Sequence, residues 1–280
     1  MREITVQFKK IFSSPWFYLS TLLTVVLFFC AEIYSDPVSL NRYSVINSLM
    51  SFDRDEMLRS TEFCSYNVIR NARGGWFTLF VPLSTAFCFV PLICAERENN
   101  AIRFQIFRSS KIKFELSRYF AGIITGGLST ALGYAVFGGM VYILFPGSSE
   151  YAGLFEQTVG AADLLKLLLG VFFYGMFWSS PAMFGTSVIR NKYIVMCIPF
   201  FIKYAAAQTI TLMSQNLYKD PENINEELRT FLYIIRPEAL MYVPEHTANR
   251  AGILIFYGAM AAVMLIGYLL LQRAGSDKDA

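Results

Sequence analysis

The stretch that decides the fold is YFAGIITGGLSTALGYAVFGGMVYILF, Tyr119 to Phe145, which runs without a charged side chain. At 1.5 Å of rise per residue, about 20 apolar residues cross a hydrocarbon core of ~30 Å. This stretch is longer than that, so it is expected to tilt or protrude. Its glycines include Gly122-xxx-Gly126, with Ser129-xxx-Gly133 beside it. Such small-xxx-small pairs let helices approach closely.

Five more stretches qualify by the same ruler: Trp16 to Tyr34, Trp76 to Ala95, Leu164 to Ile189, Tyr193 to Met213 and Ala251 to Leu271. Trp16, Tyr18, Tyr34, Trp76, Tyr119, Tyr193 and Tyr257 fall near their ends, where amphipathic rings settle. Residues 16–34 are read as a span and not a cleaved signal peptide, because the run is too long and Ser35-Asp36-Pro37 is a poor cleavage site. Pro82, Pro91, Pro181 and Pro199 lie within the spans and permit kinks.

The composition agrees. Of 280 residues, 55% are hydrophobic and 16% charged, and mean hydropathy is +0.43. A soluble domain is about 25% charged. The expected class is an all-α polytopic membrane protein with six transmembrane helices, multi-pass in the plasma membrane. Net charge is +3. The basic residues are interrupted by apolar runs, which argues against nucleic acid as a partner. The five cysteines form no CxxC pair and four sit in apolar runs, so they read as small buried hydrophobes.

Lys and Arg set the orientation. With the N-terminus inside, thirteen fall in short inside segments and nine in longer outside loops, with Lys166 and Lys203 in spans. Both termini are therefore placed in the cytoplasm.

Residues 1–15 form an expected interfacial elbow: Ile4, Phe8, Ile11 and Phe12 recur at helical spacing, Gln7, Lys9 and Lys10 lie off that stripe, and Ser13-Ser14-Pro15 breaks the helix. Residues 96–117 are an inside segment with the densest charge in the chain. A helix is expected from Arg97 to Phe107, then a break at Ser109-Ser110. It reads either as a solvated basic loop or as a docking helix. Residues 35–75 are outside and mixed in charge. Residues 214–250 are outside too, with a helix expected to start at Asp220-Pro221-Glu222, to carry Ile224, Leu228, Phe231, Leu232 and Ile235 on one face, and to stop at Pro237.

Several chemistries are absent. The single histidine, His246, sits in an outside loop, and there is no HExxH and no GxxxxGK[ST]. No metal site, catalytic residue or nucleotide site is expected, and the chain is not read as an enzyme. Within the spans, Glu32 and Lys203 are the costly charges. They are long enough to meet if their helices pack; alternatively Glu32 snorkels and Lys203 makes a structural contact.

At this point the chain resembles the permease subunit of ATP-binding-cassette exporters of the ABC-2, or type V, kind. Three features carry the likeness. EITVQFKKIFSSPWFYL (residues 3–19) is similar to that family's elbow. AERENNAIRFQIFRSSKIKFELSRYFAG (residues 95–122) is similar to its coupling segment, although Asn100-Ala101 stands where Gly-Thr is common. The six-span plan, with an outside helix before span 6, is similar to its layout.

The resemblance implies a pathway between two permease protomers, identical or not, driven by separate cytoplasmic ATPase subunits that hold ATP and Mg; this chain itself binds no cofactor. It assigns ATPase coupling to Glu96, Arg97, Glu98, Asn99, Arg103, Phe104 and Phe107. It assigns a pathway along spans 1, 2 and 5, with Phe28, Phe29, Glu32, Phe87, Phe200, Phe201 and Lys203 as candidates. The cargo expected is apolar or amphipathic, such as a peptide, moved outward. The alternatives are a membrane-embedded peptide-binding immunity or sensor protein that transports nothing, and a membrane enzyme.

Overall fold

The computed structural model describes residues 2–35, 41–99, 110–147, 161–217, 226–245 and 249–276. They are predominantly helical. Four helices are long and apolar enough to cross a membrane, and a bent pair at the N-terminus makes a fifth candidate. This is compatible with a membrane protein.

The bent pair is α1 (Arg2–Phe12) and α2 (Pro15–Phe29), which meet at 61°. Ser14 makes the corner: it is extended, its hydroxyl accepts from the Trp16 amide, and Pro15 occupies the first turn of α2. Phe12 and Phe17 pack edge to face across the bend, 4.9 Å apart. The elbow is as expected, except that Gln7 is buried and Val6 exposed.

The expected span 16–34 ends early. α2 stops at Phe29, and Glu32–Ser35 (β1) pairs antiparallel with Arg42–Ser44 (β2), Tyr34 opposite Tyr43. Fifteen residues reach about 22 Å as a helix, so a crossing of a ~30 Å core at this point takes in the residues beyond Phe29 as well. The chain continues through α3 (Val45–Ser51), α4 (Arg54–Arg59), a 3-10 turn at Thr61–Phe63 and α5 (Ser65–Asn71). These wrap an aromatic cluster in which Phe52 lies 5.0 Å from Tyr43 and 4.9 Å from Phe63. The segment is tied down at its far end. Ser65 donates through both amide and hydroxyl to the Pro146 carbonyl, and the Tyr134 hydroxyl donates to Ile69 O.

The expected span 76–95 is also corrected. It is three pieces: a 3-10 turn at Trp76–Leu79, α6 (Val81–Phe87) and α7 (Val90–Glu98). Pro82 and Pro91 each sit in the first turn of a helix. There their missing N–H costs nothing, so each starts a helix rather than kinking one. Pro181 and Pro199 do lie inside long helices.

The remaining expected spans match long helices with shifted ends: α8 (Lys111–Leu144), α9 (Ala161–Val188), α10 (Lys192–Leu217) and α13 (Arg250–Ser276), with α11 (Glu226–Ile235) and α12 (Ala239–Tyr242) between the last two. α8 is the centre: α2 and α9 pack along it, and α9 in turn carries α10, α12 and α13. The glycines explain why. A Cβ on Gly127 would stand 2.6 Å from Met176 Cγ and 2.9 Å from the Phe172 carbonyl oxygen, both on α9. A Cβ on Gly133 would stand 2.9 Å from the Thr21 carbonyl oxygen on α2. Hydroxyls stitch the same crossing: Ser20 donates to Ser84 O at 2.7 Å and lies 2.7 Å from Ser129 Oγ, and Thr24 Oγ1 lies 2.9 Å from Ser84 Oγ. Side-chain hydrogen bonds of this kind join helices where no water competes.

α11 stops before Pro237 as expected, and the Tyr257 hydroxyl caps it by donating to Ile235 O and Arg236 O. Of its apolar stripe only Leu232 is buried, while Leu228 and Phe231 are exposed. The expected start at Asp220-Pro221-Glu222, with Ile224, lies outside the described residues, as does His246. The short buried helix α12 was not expected at all.

Candidate functional site

Two groups of buried charge stand apart in the bundle, one at the end where the elbow lies and one around Lys203, halfway along α10. The first joins the elbow, the end of α7 and the start of α8. Glu96 accepts from Lys10 Nζ at 2.9 Å and from Arg118 Nη2 at 3.3 Å, and Arg118 Nη2 also donates to Ile93 O at 3.1 Å. Arg118 is 2% exposed and Glu96 12%. A charge so buried holds only with a partner. Each residue has a local reason to be there. Lys10 is in the last turn of α1. Glu96 is close to the end of α7, and Arg118 is two turns into α8, above Phe114. α13 closes the joint: the Tyr268 hydroxyl donates to Glu115 at 2.5 Å, and Lys111 Nζ donates to Gln272 O at 2.7 Å.

Arg97 and Glu98 occupy the last turn of α7, and Asn99 caps it. The expected helix start at Arg97 is thus corrected, since Arg97 and Glu98 end α7; the rest of that expected helix, residues 100–107, lies outside the described residues. Burial, and then the neighbouring Arg118 charge, push the Arg97 guanidinium below its ordinary value. Among the described residues no carboxylate lies within ion-pair distance of Arg97. Arg103, Phe104 and Phe107 lie outside the described residues.

The second group surrounds Lys203, one turn beyond Pro199 in α10. Its side chain is fully buried. Nζ donates to Thr78 O at 2.6 Å and to the Tyr174 hydroxyl, and lies 3.2 Å from Glu238 Oε1. Glu32 is elsewhere, paired with Arg42 at 3.3 Å. Glu32 and Lys203 do not meet: Glu32 pairs with Arg42, and Lys203 makes a contact within the bundle, the alternative the sequence offered for it. A third pair lies close by. The fully buried Arg73 donates to Met241 O at 3.1 Å and to Glu245, which also lies 3.7 Å from Arg70 Nε. The Tyr242 ring stands 4.6 Å beneath the Arg73 guanidinium. Replacing Arg73 by methionine is expected to cost about 3 kcal/mol. A lowered thermal midpoint, partly offset because Arg70 keeps Glu245 company, is the check.

The aromatic candidates do not form one surface within this chain. Phe28 is buried against Tyr134 and Phe137, at 4.8 and 5.6 Å, and Phe29 lies 5.1 Å from Phe137. Phe87 lies on the other side, 6.4 Å from Trp16. Phe200 stacks on Phe80 at 5.2 Å, and Phe201 beside it is 63% exposed. Together Phe80, Phe200 and Phe201 make an outward aromatic row along α10.

Sequence reasoning missed Tyr174, Glu238, Arg73 and Glu245. Tyr174 is one aromatic in an apolar run, and the other three looked like charges in solvated loops. Among the described residues no group of three or more His, Cys, Asp or Glu is placed to hold a metal ion. The buried charges join elements together. Comparison of the chain with models of known protein families and with curated proteins returns no match.

Proposed function

We propose that this chain is the membrane-spanning permease subunit of an ATP-driven exporter of the ABC-2 kind, working with a separate ATPase subunit that holds ATP and Mg. The observation that carries the reading is the Lys10–Glu96–Arg118 joint. It locks the elbow, the end of the second apolar segment and the start of the third into one charged end. A partner pressing on Arg97 to Asn99 would therefore move α1, α7 and α8 together. This is what a two-state coupling needs: a rigid element that both sites bias.

The way contacts sort by end supports six crossings. α2, α6 with α7, α8, α9, α10 and α13 would cross. Lys10, Glu96, Arg118 and Gln272 gather at one end, and Ser65, Arg73, Met241 and Tyr257 at the other. The positive charge there supports a cytoplasmic first end, with both termini inside, in the plasma membrane. The aromatic row Phe80, Phe200 and Phe201 supports a pathway wall completed by a second protomer, for an apolar or amphipathic cargo such as a peptide.

Purification of the chain from its native membrane in mild detergent tests this. A P-loop ATPase should accompany it, and Arg97→Ala with Glu98→Ala should lower its recovery roughly tenfold. Recovery of the chain alone, with peptide bound and no ATPase, would favour a peptide-binding protein that transports nothing.

A further inference from the structure

The ten residues 236–245 lie in what the sequence marks as an outside loop, yet Pro237, Ala239, Leu240, Met241 and Val243 are all buried. The segment is seated backbone to backbone on α9: a Cβ on Gly170 would overlap the Met241 carbonyl oxygen. Its two carboxylates flank α12, Glu238 at its start and Glu245 three residues past its end, and each meets a fully buried cation from a different part of the chain, Lys203 and Arg73. From α13, Arg250 donates to Val243 O at 2.9 Å and Pro244 O at 3.0 Å.

The two ends are held unequally. At Glu245, Arg73 makes two contacts, one to the carboxylate and one to Met241 O, and Arg70 adds a third. Glu245 is 13% exposed. At Glu238 there is one ion pair of 3.2 Å, and the carboxylate is 31% exposed. If Glu238 left, it would enter water at little cost. Lys203 would still keep Thr78 O and the Tyr174 hydroxyl, with the Tyr174 ring 5.0 Å away, so its ammonium would lose its counter-charge but keep its other acceptors. Breaking the first joint takes from Arg73 its counter-charge and the Met241 carbonyl together, while breaking the second takes from Lys203 its counter-charge alone. Pro199 sits one turn before Lys203 and removes a backbone hydrogen bond from α10, where a helix bends most easily.

We propose that residues 236–245 are a hinged plug at the outer end of the bundle, anchored by Arg73–Glu245 and latched by Lys203–Glu238, and that the latch is the contact that opens. α10 then holds the plug shut through a single side chain, and bending at Pro199 releases it. The inference concerns this chain alone and does not depend on transport.

The test is thiol labelling of the purified chain in lipid nanodiscs, without nucleotide, ATPase or cargo, so its outcome is separate from that of the exporter reading. A Leu240→Cys reporter is placed in a Cys64→Ser background, and labelling by a water-soluble maleimide is measured above that of the background itself. An Ala182→Cys reporter, deep in the bundle, serves as the control. Glu238→Gln should raise the rate at the Leu240→Cys reporter roughly tenfold, because local opening limits it, and leave the Ala182→Cys reporter unchanged. Glu238→Asp, which draws the carboxylate back while keeping its charge, should give a smaller rise in the same direction. An unchanged rate at the Leu240→Cys reporter, or an equal rise at both reporters, would overturn the latch.

Discussion

Gly175→Leu is expected to prevent the bundle from assembling, while Gly139→Leu, on the neighbouring helix, is expected to be silent. A Cβ on Gly175 would stand 3.0 Å from Gly127 Cα and would also overlap the Thr130 hydroxyl. The backbones of α8 and α9 touch there. A leucine would force the two helices apart along their whole crossing, and would undo the seats of Gly126 and Gly127 as well. Overpacking of a flexible core costs typically 1–3 kcal/mol. Here the obstacle is backbone, which cannot turn aside, and the cost is expected to exceed about 4 kcal/mol. Nothing lies within 4 Å of a Cβ on Gly139. Size-exclusion profiles and thermal unfolding of the two variants check this: aggregated or unrecoverable Gly175→Leu beside native-like Gly139→Leu. Equal behaviour would mean that α8 and α9 do not pack through their glycines.

The second large effect is expected from Glu96→Ala. It leaves Arg118, 2% exposed, with the Ile93 carbonyl as its one remaining acceptor, and it releases Lys10. Removing one partner of a buried pair costs about 3–5 kcal/mol, most of it the stranded charge. Glu96→Gln keeps an acceptor oxygen and should lose less. The loss has an address. With Lys10 free, the elbow helix Arg2–Phe12 loses its ion pair to Glu96, so its amides should exchange with solvent faster than those of α9. Hydrogen exchange that rises equally in both helices would show a general weakening in place of a released joint.

How much of this was legible in the sequence depends on what each residue answers to. The four long helices were legible because hydrocarbon-length apolar runs have few alternatives. The elbow was legible because Ser14 and Pro15 carry a local signal. The early end of α2 was not. Glu32 to Tyr34 is apolar enough to continue a helix, and it becomes strand because Arg42 to Ser44 comes to pair with it, which no local pattern announces. Pro82 and Pro91 read as kinks because sequence alone does not say where a helix begins. The charged joint was half visible: Glu96 stood out, while Lys10 and Arg118 looked like two more basic residues on the inside. The plug was invisible, because the partners that hold its two carboxylates and its backbone, Lys203, Arg73 and Gly170, lie more than thirty residues away in the chain. Lys203 was conspicuous in its span, and its partner was not.

The central claim is that the charged end formed by the elbow, α7 and α8 is where a driving subunit docks. A photo-crosslinker attached at Glu98→Cys, the exposed last residue of α7, reads this directly in native membranes. The expected product is a single adduct between this chain and a P-loop ATPase, identified by mass spectrometry and lost when the crosslinker is moved to the outer end at Met50→Cys. Adducts with lipid alone at Glu98→Cys, or the same ATPase captured from Met50→Cys, would contradict it.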